Sequence, residues 1–102
     1  MREKELEHKL VEAVKAMGGL ALKFVSPGYY GMPDRLVLIQ VGRLAFVEVK
    51  RYGEHPRPLQ EARHGTLRRL GFKVFILDRP EQIQQIVEEI ANGKSTDEPW
   101  AD

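Results

Sequence analysis

The sequence predicts a three-layer α/β sandwich, a mixed central sheet covered by helices on both faces, with elements in the order α-β-β-β-α-β-α. Three observations predict it. Apolar residues recur at helical spacing in three separate stretches. Four short β-prone runs lie around them, bounded by glycine and proline. The two central runs are apolar on both faces, with Leu36, Leu38 and Phe46 on one side and Val37, Ala45 and Val47 on the other. A sheet with two oily faces must be covered on each.

Glu3 to Met17 carries Leu6, Leu10, Val11, Val14 and Met17 on a helical stripe, and Gly18-Gly19 stops it. Leu20 to Val25 is a first strand ended by Ser26-Pro27-Gly28. After Tyr29-Tyr30-Gly31-Met32-Pro33, the runs Asp34 to Ile39 and Arg43 to Lys50 read as a hairpin around Gln40-Val41-Gly42. Pro58 to Leu70 is a second helix, with proline at its opening and Gly71 at its end. Phe72 to Leu77 is a fourth strand. From Asp78-Arg79-Pro80 a third helix runs with Ile83, Ile86, Val87 and Ile90 as its stripe, closed by Gly93. Residues 1–93 form one domain, and the acidic stretch 94–102, with Trp100, is expected to be a mobile tail.

At 102 residues and 42% apolar, 30% charged composition, the chain can bury one real core without disulfides. With no cysteine, disulfide scaffolds, thiol nucleophiles and Cys-ligated zinc are excluded. No apolar run approaches the roughly 18 residues of a membrane span, and the charged Met1-Arg2-Glu3-Lys4-Glu5 start lacks the apolar stretch of a signal peptide, so a cytoplasmic location is expected. The net charge of +1 hides an uneven distribution: residues 50–77 hold seven basic and two acidic side chains, residues 78–102 two and seven. A basic block of that kind is either a solvated arginine-rich face or a surface for a polyanion.

Charged residues also interrupt strands that otherwise belong in the core. Glu48 and Lys50 alternate onto one face, roughly 7 Å apart along the strand. Asp34 joins them only in one hairpin register. A two-residue turn at Val41-Gly42 sets Asp34 opposite Val49 on the wrong face, whereas a three-residue loop, Gln40 to Gly42 with a left-handed glycine, sets it opposite Glu48. The glycine favours the second. Two carboxylates then lie about 5 Å apart between β-carbons and repel. A shared proton, Lys50, or a divalent cation would compensate them; oxygen ligands suit Mg²⁺ or Mn²⁺ better than zinc. In the purely structural alternative, Asp34 caps the strand entrance and Glu48 pairs with Lys50. On the first helix, Glu7 shares the core-side stripe with Glu3, Leu10 and Val14, which makes it the candidate third carboxylate, while Glu5 and Glu12 face water. On the second helix, Gln60 lies in the first turn on the face of His64 and Leu67.

Asp34 followed after thirteen residues by Glu48-Val49-Lys50 resembles the PD-(D/E)XK nuclease superfamily. More narrowly, Lys23-Phe24-Val25-Ser26-Pro27-Gly28, Gly31-Met32-Pro33-Asp34-Arg35, Phe46-Val47-Glu48-Val49-Lys50 and Pro58-Leu59-Gln60 resemble the VRR-NUC family, over about Glu3 to Leu77. The resemblance implies a restriction-endonuclease-like fold and a Mg²⁺- or Mn²⁺-dependent endonuclease for DNA. It assigns the metal to Asp34, Glu48 and the Val49 carbonyl, water activation to Lys50, support to Gln60, and the helix carboxylate to Glu7, with Glu5 as alternative. Small standalone members are similar to phage-type homodimers acting on four-way (Holliday) junctions, so a homodimer and a phage or prophage origin are expected. Arg51, Arg57, Arg63, Arg68 and Arg69, with Lys23, His55 and His64, are the candidate phosphate contacts, and Tyr29 and Tyr30 are candidates to stack on or wedge a base.

Other signals are discounted. Gly93-Lys94-Ser95 follows a helix rather than opening one and has Glu88 where a phosphate-binding loop needs glycine. His8, His55 and His64 lack paired metal-ligand spacing, and Ser26, Ser95 and Thr66 have no recognisable base partner. Two rival readings remain: a DNA-binding module of the same fold without catalysis, and an interaction protein whose charges form a structural network.

Overall fold

The computed structural model describes residues 1–93, so the expectations for the tail and Trp100 lie outside the described residues. Its elements are α1 (Glu3–Ala16), β1 (Leu20–Lys23), β2 (Arg35–Ile39), β3 (Arg43–Val49), α2 (Pro58–Arg69), β4 (Lys73–Leu77), a 3-10 turn (Pro80–Gln82) and α3 (Ile83–Asn92). The order is the expected one, with boundaries shifted by at most a few residues. The start of the third helix is a separate 3-10 turn, because Pro80 suits a first turn while Gln82 Oε1 folds back to accept the Asp78 N–H at 2.9 Å.

The sheet runs β1-β2-β3-β4, antiparallel through the first three strands and parallel between β3 and β4, which α2 joins as the crossover. Its two faces bury different residues. One packs Val37, Ile39, Ala45, Val47, Val49 and Leu77 against Leu6, Leu10 and Val14 of α1 and Ile83, Ile86, Val87 and Ile90 of α3. The other gathers Phe46 and Val74 under Leu67 of α2, with Phe24, Met32, Leu36 and Leu44 around them. Phe24, Phe46 and Phe72 form a row of edge-to-face aromatic contacts at 5.7 and 5.9 Å.

The hairpin register is the one that matters to the site. Leu36 pairs with Phe46, Leu38 with Leu44 and Ile39 with Arg43, leaving Gln40, Val41 and Gly42 as a three-residue loop. Gly42 is left-handed as expected, at φ +71°; so is Val41, at φ +68°, which the sequence did not announce. Continuing this register one step past Arg35–Val47 sets Asp34 opposite Glu48. The loop before Asp34 is anchored to α2 rather than to the sheet. Gly31, at φ +89°, lies so close to that helix that a β-carbon would stand 2.8 Å from Leu59 Cγ, and Pro33 is fully buried.

Candidate active site

The mouth of the sheet, where β2 begins and β3 ends, collects Asp34, Glu48 and Lys50 on the α2 side. Asp34 sits just outside β2, where its backbone carbonyl accepts the Phe24 N–H at 2.9 Å. Its side chain reaches across the ribbon, and Oδ1 accepts the Val49 N–H at 3.0 Å. Only one oxygen of Asp34 is thereby used, and the backbone of Val49 is drawn against the carboxylate. Glu48 is 4% exposed. Its Oε2 accepts the Gln60 Nε2–H at 3.1 Å and stands 3.8 Å from Lys50 Nζ.

Gln60 explains its own orientation. Its Oε1 accepts the Arg57 backbone N–H at 2.9 Å, capping α2, which leaves Nε2 aimed at Glu48. The residue is 6% exposed.

The electrostatics follow from crowding two acids in a poorly solvated corner. Burial raises the Glu48 carboxyl to about 7, with the Asp34 charge pushing the same way and Lys50 opposing. Asp34 is raised too, by burial first, against the Val49 hydrogen bond. Both shifts disfavour the charged carboxylates relative to free side chains. Two carboxylates, a neighbouring backbone carbonyl at Val49 and an ammonium at 3.8 Å fit a hard divalent ion. Among the described residues no three of His, Cys, Asp and Glu converge as a metal cluster.

The candidate helix carboxylate has a partner of its own. Glu7 is on the predicted face of α1, but its Oε2 accepts from both Nε and Nη2 of Arg35, at 3.1 and 3.0 Å. The alternative, Glu5, is exposed and caps its own helix through the Arg2 N–H at 3.4 Å. The Glu7 charge still raises Asp34, ahead of that of Glu3, and Glu3, one turn earlier and half-buried, raises Glu48 as well. The Glu3–Glu7–Leu10 stripe carried the signal; what the sequence lacked was Arg35 as the claimant of Glu7.

The candidate DNA contacts divide. Lys23, Tyr30, Arg51, His55 and Arg57 are exposed. His64 is not available to DNA: it is 2% exposed and points at Glu48, because its i, i+4 spacing from Gln60 puts both under the same helix face. Arg63 and Tyr29 are engaged with each other, the guanidinium lying 3.8 Å from the ring centroid, and Arg63 Nε donates to the Tyr30 carbonyl at 2.6 Å. Arg68 donates through Nη2 to the Val74 carbonyl at 2.8 Å, and Arg69 to Thr66 Oγ1 at 3.1 Å. Arg63 fastens α2 to the loop and Arg68 fastens it to β4, whereas Arg69 contacts only its own helix; Arg68 and Arg69 remain exposed. Sequence showed their charge and spacing but not the acceptors beneath them.

A mixed four-stranded sheet presenting an Asp and a Glu-X-Lys at one end, under a helix glutamine, defines a protein of the PD-(D/E)XK type. No protein-family model matches the chain. A solved structure described as a VRR_NUC domain superposes with a TM-score of 0.80 and 33% identity, covering 84% of this chain and 94% of that one. A protein named "Putative nuclease p44", from Acyrthosiphon pisum secondary endosymbiont phage 1, is 49% identical over 78 residues, 76% of this chain and 84% of its own length. The chain belongs to the VRR-NUC family of nucleases. Among the described residues no helix is long and apolar enough to cross a membrane.

Proposed function

We propose that the chain is a Mg²⁺- or Mn²⁺-dependent endodeoxyribonuclease that cuts branched DNA such as four-way junctions, working as a homodimer. The observation that carries the hydrolytic part is the convergence of Asp34 and Glu48 beside Lys50, with Asp34 Oδ1 tied to Val49 and Glu48 Oε2 tied to Gln60. Asp34, Glu48 and the Val49 carbonyl would hold the ion. When bound it would neutralise the phosphodiester and lower the pKa of water, chemistry that a stable anionic ester requires.

The chain's own residues do the rest. Val49 N–H orients Asp34, and Gln60 orients Glu48, so both carboxylates are set before substrate arrives. Lys50, 13% exposed at its side chain, supplies positive charge where the attacked phosphate becomes more negative. Arg51, His55 and Arg57 fill the exposed stretch between β3 and α2, next to Lys50 in the chain. On the α1 side of the same end, Lys4, His8 and Lys23 surround a cavity of about 240 Å³ above the Glu7–Arg35 pair. Phosphates crossing the sheet mouth would meet cations on both sides, which gives affinity without reading sequence. Tyr30, 72% exposed at the tip of the anchored loop, is placed to stack on an unpaired base at a branch.

The homodimer reading is supported by the half of the α2-side sheet face that α2 leaves bare. Leu20 and Leu22 there are 56% and 43% exposed, Phe72 is 41% exposed, and the strand positions they share with Leu36, Leu38 and Leu44 carry no charge. A second copy could meet this surface across a two-fold axis without opposing like charges. Two subunits would also present two sites to the two strands that a junction cutter must nick.

The test compares junction, flap, splayed and linear duplex DNA with and without Mn²⁺. Divalent-dependent nicking of the junction, lost in Asp34→Asn and Lys50→Ala while circular dichroism is unchanged, is expected. DNA binding without cutting under any divalent condition would leave only a binding module.

A further inference from the structure

A carboxylate has two oxygens, and only one of Glu48's is accounted for above. Oε1 is sealed from solvent and has no hydrogen-bond partner among the described residues. Facing it at 3.5 Å is His64 Nε2, equally sealed and equally without a partner. Sealed polar atoms left unpaired are costly. A donor and an acceptor in that condition, opposite one another, define an interaction that needs only a small approach to close.

His64 follows Gln60 by four residues, so both project from one face of α2 onto the same carboxylate. Burial, and then the Arg68 charge, disfavour the charged imidazole. A neutral imidazole carries one N–H. With Nε2 against a carboxylate oxygen, that nitrogen is the one that gains from carrying it. Each carboxylate oxygen keeps a further lone pair for another partner, so a grip from α2 leaves Glu48 able to face Asp34 as well.

We propose that His64 is a positioning residue: its Nε2–H closes onto Glu48 Oε1, so that α2 holds both oxygens of the carboxylate, Gln60 on one and His64 on the other. The tautomer and the contact concern the metal-free chain itself. Their consequence for ion affinity rests on the metal-site reading above. Partners of this kind around a metal ligand are typically worth 10–100-fold in affinity or activity.

Two measurements test it. Long-range ¹H–¹⁵N spectra of the metal-free protein at pH 8, above the Glu48 pKa of about 7, should show His64 as the neutral Nε2–H tautomer, with a slowly exchanging imidazole proton that shifts in Glu48→Gln. An Nδ1–H tautomer overturns the proposal whatever the protein does with ions. Calorimetry with Mn²⁺ should show affinity weakened about 10–100-fold in His64→Leu and in His64→Asn, whose amide is too short, and recovered to within a few-fold in His64→Gln. On junction DNA the same variants should lower kcat and leave KM for DNA in place. Equal Mn²⁺ affinity in His64→Asn and His64→Gln overturns the proposal, and that comparison survives even if the leucine variant fails to fold. A wild-type protein that binds no Mn²⁺ would contradict the metal-site reading and the consequence for affinity, while the tautomer spectrum still decides the contact.

Discussion

At Glu48, burial and the Asp34 charge lift the carboxyl from 4.5 to about 7, and this has a consequence for stability that needs no substrate. In the unfolded chain the group ionises near its ordinary value, so between about pH 4.5 and pH 7 the folded protein retains a proton that the unfolded chain has lost. Through Glu48 alone, stability of the metal-free protein should therefore fall by about 3 kcal/mol as pH rises through that window, and level off above it. Asp34, raised in the same direction, adds to the fall. On the proposed metal-site reading, a divalent ion would take the proton's place and should restore the melting temperature at pH 8. Thermal melts from pH 5 to pH 8 with and without Mn²⁺ check both statements, and a melting temperature that climbs with pH in the metal-free series would mean the acids are not desolvated together. The residue identities here were legible from the alternation of Glu48 and Lys50. The raised pKa was not, because it comes from being covered by α2.

The hairpin joining β2 and β3 is the element on which the site depends, since its register decides which face Asp34 occupies. Glycine at the third loop position pointed to the observed pairing, because a left-handed glycine lets the extra residue be absorbed beside the turn. Val41 was not legible as strained: nothing in a single sequence distinguishes a tolerated β-branched residue at φ +68° from one in ordinary extended backbone. Its side chain is 85% exposed, so it gains little packing in return. Val41→Asn, better suited to a left-handed position, should stabilise the protein by about 1 kcal/mol. In a domain of this size that is roughly a 4–8 °C rise in melting temperature, with cleavage unaffected. The helix α2 is the complementary case. Its face was readable from Gln60, His64 and Leu67, but the neighbours of that face were not, and His64 consequently looked like a DNA contact.

Across the whole molecule, the three helices divide unequally. The paired α1 and α3 seal one face of the sheet, while α2 packs mainly against β4 and leaves the β1 half of the other face to Leu20 and Leu22. For a homodimer assembled through that face, sedimentation at micromolar concentration should give twice the monomer mass, and Leu22→Lys should return it to monomer without loss of secondary structure. A wild-type monomer under those conditions would rule out the dimer.

Element order, the faces of the central ribbon and the approach of Asp34, Glu48 and Lys50 were determined by the sequence alone. They follow from periods of two and of about three and a half residues and from one short loop, all of which are local. Only the tertiary structure decided that Arg35 claims Glu7 and that Gln60 and His64 both face Glu48. Those outcomes depend on how helices seat on a sheet built from distant parts of the chain, and side-chain partners across such a contact leave no periodic trace along it.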